Sequence, residues 1–322
     1  VSDRLLLERL QRGPATGVEL AQAAGVTRGA IWKRMQALRA AGVEIAVHPG
    51  RGYALAQPLE LLDRETILSA VSPSTRAGLP SLQICFETAS TQTLAAAVVP
   101  PGHGCAIWLA ERQTAGQGRR GRPWISPLAA HLSMSVARRF QRGFAALSGL
   151  SLVVGVAAAE ALHVLGYPQV RLKWPNDLWV DQRKLGGILI ELRGEAGGPC
   201  DAVIGLGINV RMPAEFAAKI DQAWCDLAAL SQRSTPSRNT LATGVIDALL
   251  PALDRFEREG LTPFLPRWRA LDALAGKPVR VLDGDRALTG IANGIDEQGA
   301  LRVQHGPDER HYHGGEVSIR NS

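Results

Sequence analysis

The sequence has few cysteines and no cluster of them. Cys85, Cys105, Cys200 and Cys225 lie far apart, and no C-x-x-C spacing occurs. That argues against a zinc cluster and suits free thiols in a reducing compartment. Long apolar runs are also lacking. The longest, residues 147–165, is interrupted by Ser148, Ser151, Glu160 and His163. A membrane span needs roughly 20 mostly apolar residues, so this stretch reads as a buried core helix. The opening VSDRLLLERL carries Asp3 and Glu8 among its leucines, which argues against a signal peptide. There is no internal repeat, no low-complexity tract and no Gly-Lys-Ser/Thr of a Walker A loop. A cytoplasmic protein with no membrane partner is expected. Neither sign of charge dominates: 36 Lys plus Arg against 30 Asp plus Glu leaves +6. Such a balance admits nucleic acid or anionic substrates without demanding either. A chain of 322 residues can fold into more than one domain.

What is present begins with residues 16–55. Thr16 and Glu19 have the spacing of a capping box, and Gly25 supplies the stop for a helix ending near Ala24. Thr27 caps a second helix, in which Ile31, Met35 and Leu38 form one apolar face and Gly42 ends the run. Ser2 or Asp3 caps a preceding helix through Leu10. Val43, Ile45 and Val47 alternate, residues 48–52 (HPGRG) turn, and Tyr53 and Leu55 return as a hairpin. Two helices around a glycine turn, then a wing with a basic tip, predict a winged helix-turn-helix over residues 1–58. Thr27, Arg28, Lys33, Arg34 and Arg51 are its candidate DNA contacts. The alternative is a module for protein contacts.

From residue 59 to 272 the pattern changes. Short apolar runs (LQICFE, CAIWLAE, HLSMSVA, VRLKW, DLWV, KLGGILIEL and DAVIGLGINV) read as strands, and residues 181–183 as a hairpin turn. Helices are expected at 91–98, 146–165, 239–259 and 263–270. Strands with segregated helices predict an α+β domain around one sheet.

Four clusters in this region carry candidate chemistry. TAGQGRRGRPW, residues 114–124, matches G-x-G-x-x-G at Gly116, Gly118 and Gly121. A dinucleotide turn must open a helix, and Arg122-Pro123-Trp124 with Pro127 forbids one. What is left is a glycine-rich cationic loop, whose guanidinium groups suit phosphate or carboxylate and whose other reading is a solvated basic loop. KWPND, residues 173–177, sets Lys173, Asn176 and Asp177 beside a proline turn; a plain surface turn is its alternative. KLGGILIE, residues 184–191, begins with Lys184 and has Gly186-Gly187 inside a strand, which marks a bulge or a close approach to the sheet. GLGINV, residues 205–210, thins a second strand. Two glycine-thinned strands predict a flat apolar slot.

With S-T-Q-T at residues 90–93, the order of these motifs resembles the biotin–protein ligase family in its bifunctional, repressor-bearing form. The resemblance covers essentially the whole chain. Residues 273–322, with turns at Asp283-Gly284 and 297–299, resemble the family's small SH3-like barrel. The expected whole is a multidomain α+β protein divided at 1–58, 59–272 and 273–322.

The resemblance implies activation of biotin by ATP to biotinyl-5′-AMP with Mg²⁺, then transfer to a lysine of a biotin carboxyl carrier protein of acetyl-CoA carboxylase. It also implies an adenylate-bound homodimer on operator DNA. By motif, Ser90, Thr91, Gln92, Gln113, Gly116, Gln117, Gly118, Arg119, Lys184, Gly187, Gly205 and Gly207 would serve biotin. Arg119, Arg122, Trp124, Asn176, Lys184 and Asn209 would serve ATP. Lys184, Arg119 and Arg122 would be catalytic, with no metal ligands assigned. No covalent enzyme intermediate is required, in keeping with the lack of a nucleophile triad. Two departures stand out. Gln117 replaces the Arg or Lys that many relatives carry between the first two loop glycines, and Gln92 replaces the asparagine of S-T-N. A lipoate-type ligase and a non-catalytic small-molecule-sensing regulator remain as alternatives.

Overall fold

The computed structural model describes residues 2–194, 197–231, 237–283, 286–314 and 317–321. Its N-terminal unit is built as the caps dictate. Ser2 caps α1 (Asp3–Gln11), and its hydroxyl accepts from the Leu5 N–H. Thr16 and Glu19 form the reciprocal box that opens α2 (Gly17–Ala24), which Gly25 ends at φ 62°. Thr27 caps α3 (Arg28–Ala40). The wing is β1 (Ile45–His48) paired antiparallel with β2 (Gly52–Leu55). Gly52, at φ +81°, presses on the Ala15 carbonyl where no Cβ would fit, so glycine is obligatory there. Leu7, Leu20, Ile31, Met35 and Leu38 make the core, joined by Leu61 and Leu128 from further along the chain.

Two short helices follow that the sequence reading did not assign: α4 (Arg64–Ala70) and α5 (Pro73–Ala77). Each carries little apolar periodicity; Ile67 is the one buried side chain of α4. Their starts are set by the caps Asp63 and Ser72. Next come β3 (Ser81–Thr88), α6 (Thr91–Ala96), β4 (Ala106–Gln113), β5 (His131–Phe140) and α7 (Leu150–Val164). Then β6 (Arg171–Lys173), β7 (Asp177–Val180), β8 (Arg183–Gly194) and β9 (Cys200–Asn209) complete the strands of this region. All seven lie in one sheet of order β3-β4-β5-β9-β8-β7-β6, with β3 and β4 parallel and the other pairs antiparallel. Asp181 and Gln182 both take positive φ, as a two-residue hairpin turn requires.

The helix expected over 146–165 is split: Gly149, at φ 80°, separates a 3₁₀ turn (Phe144–Leu147) from α7. The stretch Phe144–Val164 is apolar and long enough to cross a bilayer, yet most of it is buried within the fold. It packs on α10 (Arg238–Glu259) and on β6, β7 and β8. The short helices α8 (Ala214–Ala217) and α9 (Leu227–Leu230) precede α10, and α11 (Leu265–Leu271) follows it.

The C-terminal strands β10 (Pro278–Asp283), β11 (Arg286–Ile295), β12 (Leu301–His305), β13 (Asp308–Tyr312) and β14 (Val317–Asn321) form an antiparallel sheet of order β13-β12-β11-β10-β14. The turn at 297–299 has Gly299 at φ +83°. The Asp283-Gly284 turn falls partly outside the described residues. Val279, Val281, Ala292, Leu301 and Val303 share one continuous core with the seven-stranded sheet. The Trp174 indole donates to the Gly299 carbonyl at 3.0 Å, so this small sheet props the KWPND turn.

The junction after the winged helix is tied to the large sheet by buried polar bonds. Glu111, on β4, accepts from the Leu62 N–H at 2.5 Å and from Arg238 Nη1 at 2.6 Å. Arg238 also donates to the carbonyls of Glu60 and His131, and Asn239 holds the Glu60 carboxylate. Removing one partner of a buried ion pair strands the other and costs roughly 3–5 kcal/mol. Glu111→Ala is therefore expected to lower unfolding free energy by about that much in urea titration; a loss below about 1 kcal/mol would show that the clamp is unimportant.

Asp272 sits where the large sheet hands over to the C-terminal one. Its Oδ1 accepts from the Leu274 N–H, while Oδ2 is buried with no partner among the described residues. Burial raises its pKa to about 6, against the pull of the Leu274 and Ala275 N–H groups and of Lys277. The folded state thus holds this proton more tightly than the unfolded chain. The group's stabilising contribution is complete below about pH 4 and is lost as pH rises through about 6. Asp272→Asn should stabilise the protein above pH 6 by up to about 3 kcal/mol, and the gain should vanish near pH 4. A pH series of thermal melts with a constant difference would refute this.

Candidate active site

The loop at 114–124 folds back on itself. Gln117 bridges Pro123, the Gly118 N–H donates to the Arg122 carbonyl at 2.8 Å, and the Trp124 N–H donates to the Gly116 carbonyl at 2.8 Å. Its helical content is one 3₁₀ turn, Arg119–Gly121, with Arg120 at φ 59°. This is a self-closed hairpin, as the prolines required, and not a dinucleotide turn. Gly116 is buried, and a Cβ there would stand 2.8 Å from the Trp124 carbonyl. Its glycine serves the loop's own closure, and it does not line the cavity beneath. The Gly118 N–H is likewise spent inside the loop.

Beneath the hairpin lies a cavity of about 180 Å³. Of the residues expected at the site, Ser90, Thr91, Gln92, Gln113, Gln117, Gly118, Arg119, Arg122, Trp124, Asn176, Lys184, Gly187, Gly205 and Gly207 line it. The floor comes from β5, β9 and β8, where Gly187 stands opposite Gly207 and Leu189 opposite Gly205. The glycines make room as expected, but first of all for the site's own side chains. A Cβ on Gly205 would meet Gln92 Oε1 at 2.7 Å, one on Gly207 the Trp124 ring at 2.8 Å, and one on Gly187 the Lys184 Cε at 3.2 Å. The bulge weighed for the Gly186-Gly187 strand is present too, as a register shift against β7 between Leu178 and Trp179.

One end of the cavity is neutral and polar. Ser90 caps α6, its Oγ accepting from the Gln92 N–H. Thr91 bonds Gln113 Oε1 through its N–H at 2.8 Å and meets Ser135 Oγ at 2.8 Å. Gln92 donates to the Val203 carbonyl and accepts from Ser135. Ser133 and Ser135 also line the cavity and were missed in the sequence. The available signal was two serines at alternate positions of an otherwise apolar buried strand.

The other end is cationic. Lys184 Nζ lies 2.7 Å from Asp177 Oδ1, with both side chains 19% exposed. Asn176 donates to the Ile188 carbonyl at 2.7 Å and accepts from Arg119 Nη1 at 3.1 Å. Burial lowers the Arg119 pKa, Arg120 and Arg122 add to that, and Asp177 opposes it. Arg122 is exposed at the rim. Asn209 is the exception among the motif residues. It is 4% exposed, and its amide donates to the carbonyls of Cys225 and Lys184. It does not line the cavity, because it is bonded into the strand behind it.

In the winged helix, Thr27 spends its hydroxyl as a cap, while Arg28, Lys33 and Arg51 are exposed. Arg34 departs from the set, since its guanidinium is held by Asp3 at 2.6 Å and its charge is matched within the fold. Trp32, 55% exposed beside Lys33, is an apolar surface on α3 that the sequence reading passed over.

Residues 88–209 match the Biotin/lipoate A/B protein ligase family, residues 275–320 the biotin protein ligase C-terminal domain and residues 3–54 an HTH domain. The chain is 41% identical over 309 residues to the bifunctional ligase/repressor BirA of Escherichia coli, covering 95% of this chain and 93% of that one. It is 33% identical to the biotin–[acetyl-CoA-carboxylase] ligase of Paracoccus denitrificans, over 70% of this chain and 94% of that one. Its fold matches the biotin protein ligase of Aquifex aeolicus solved with biotin and ATP, at TM-score 0.64 and 26% identity, over 76% of this chain and all of that one. Cavity, sheet and winged helix therefore agree with sequence identity across nearly the full length: the chain belongs to the biotin–protein ligase family, in its bifunctional ligase/repressor form.

Proposed function

We propose that this protein joins the biotin carboxylate to the α-phosphate of ATP, releasing pyrophosphate, and then passes the biotinyl group to a carrier lysine. The observation that carries the reading is the cavity's division into a neutral polar end and a cationic end. The neutral end, with Thr91, Gln92, Gln113 and Ser135, suits the ureido ring. The cationic end suits two anions that would otherwise repel each other. In this reading Lys184 and Arg119 would neutralise charge developing around the α-phosphate, and Arg122 would meet the outgoing pyrophosphate.

Mg²⁺ would neutralise further phosphate charge. It would arrive on the triphosphate, and Asp177 and Asn176 are oxygen-bearing side chains in the cavity lining that could help hold it. In the second step the carrier's amine attacks the acyl carbon, AMP departs and an amide forms. The closed hairpin would keep water from the mixed anhydride in the interval. With no carrier to modify, the adenylate-bound protein would dimerise and set two winged helices on a two-fold operator, through Thr27, Arg28, Lys33 and Arg51. The division at 1–58, 59–272 and 273–322 and a cytoplasmic location complete the reading.

Lost transition-state charge contacts commonly cost tenfold or more. Arg119→Ala and Lys184→Ala should each cut biotin-dependent ATP–pyrophosphate exchange by at least ~10-fold, measured at a temperature where each variant remains folded. Retained exchange in both would remove them from the chemistry. A gel shift on a biotin-gene promoter should appear with biotin plus ATP and fade without them; ligand-independent binding would refute the switch.

A further inference from the structure

Of the seven tryptophans, Trp32 alone is exposed; 55% of it is open to solvent, on α3. A lone surface aromatic needs no explanation by itself, so what matters is where it stands. Ile31, Met35 and Leu38 turn inward to the core of the winged helix. The exposed positions Gly29, Trp32, Lys33 and Gln36 recur three or four residues apart, so they share the face turned away from that core. In a helix-turn-helix, that face of the second helix enters the major groove, with its N-terminal half against the base edges.

The surroundings suit a duplex. α3 carries four cations and no acid. Arg34 is matched by Asp3, and Arg39 is bonded to the Ile45 carbonyl. That leaves Arg28 and Lys33 exposed near Trp32, with Arg51 exposed at the tip of the wing. The Arg28 stem and the Tyr53 ring both lie against Gly17 at the start of α2. Arg28 thus stands at the corner shared by α2, α3 and the wing, where a phosphate contact would fix register without reading sequence. At Gly29, one turn before Trp32 and Lys33, the nearest atom to an added Cβ beyond its chain neighbours would be the Thr27 hydroxyl, at 3.9 Å. The missing side chain leaves a notch that lets the helix come close to the bases.

The chemistry of the indole narrows the choice of base. It offers an apolar surface and one N–H donor, and no acceptor. Cytosine shows the major groove a donor, which the indole cannot accept. Thymine shows it a methyl group and an acceptor side by side, which match both parts of the indole.

We propose that Trp32 is a residue through which this protein reads its operator: the indole packs on the C5-methyl of one thymine in each half-site. The inference rests on the DNA-binding reading and names the base that the second helix selects.

The test uses the full chain saturated with biotin, ATP and Mg²⁺. Duplexes retained by wild type are selected from a random-sequence pool. Each thymine of the tightest is then replaced, in both half-sites at once, by deoxyuridine, which lacks only the methyl. A buried methyl is worth roughly fourfold in affinity, so one such double replacement should weaken wild-type binding by roughly tenfold. Trp32→Ala should bind the unmodified duplex at least about tenfold more weakly and show no further loss with deoxyuridine at that position. Trp32→Phe, which keeps an apolar ring, should retain part of the methyl effect. Arg28→Ala should weaken selected and unrelated duplexes alike and keep the whole of it. The deoxyuridine ratio is taken within each protein, so a partly unfolded variant does not mimic the result. An equal deoxyuridine penalty in wild type and Trp32→Ala, or no thymine with any penalty, overturns the proposal. So does a Trp32→Ala protein that fails to dimerise in sedimentation without DNA, which would assign the indole to a protein contact. If wild type retains no duplex, the DNA-binding reading falls and the proposal with it.

Discussion

Mutual repulsion among cations is the constraint that organises this site. Arg119, Arg120, Arg122, Lys173 and Lys184 all line one small cavity, and five positive groups do not gather without compensation. The KWPND turn supplies it: Asp177 takes Lys184 at 2.7 Å and Asn176 takes Arg119 at 3.1 Å. One short turn therefore holds β8 and the arginine hairpin in register with each other. That turn is itself held, since Trp174 donates to Gly299 in the C-terminal sheet and Asn176 donates to Ile188 on β8. The small sheet is in this sense part of the active site without lining it. An incoming triphosphate would relieve the repulsion that Asp177 and Asn176 only partly offset, so the free energy of anion binding is available to reorder the loop.

The same economy appears on the floor. Gly187, Gly205 and Gly207 are each overlain by a side chain of the site, respectively Lys184, Gln92 and Trp124. The sheet is thinned so that these groups lie flat on it, within reach of a ligand pressed between loop and strands. The winged helix is joined to this floor through the buried Glu111–Arg238 pair and the Glu60–Asn239 contact. Leu128, which follows the hairpin, lies in the winged helix's own core. The loop that would close on a nucleotide and the domain that would meet DNA are thus consecutive parts of one packed structure.

Much of this was legible in residue order because the signals were local. Thr16 with Glu19, Thr27 and Gly25 mark the helices by caps that depend on neighbours three or four positions away. All seven strands of the large sheet were visible as short apolar runs, and Pro123 and Pro127 ruled out a helix after the glycine loop. What escaped depended on distant partners. Nothing near Asn209 shows that its amide is consumed by Cys225, sixteen residues on, nor does the text around Arg34 point to Asp3. Gly116 resembled a ligand contact, but its neighbour is the Trp124 carbonyl. Ser135 and His131 drew no notice because a polar residue in an apolar strand has meaning only once the strand's other face is known. Helices α4 and α5 were too short for a periodic signal.

The account's central claim is that the cationic end of this cavity receives a carboxylate and a triphosphate together and holds the product. The most direct measurement is to mix the purified protein with biotin, Mg²⁺ and α-labelled ATP, isolate the protein rapidly, and analyse the bound label while following proteolysis at Arg119 and Arg120. The account predicts about one bound biotinyl-5′-AMP per chain and a loop that becomes resistant to cleavage. Label recovered only as ATP or free AMP, with the loop cleaved at the same rate as in the empty protein, would contradict it.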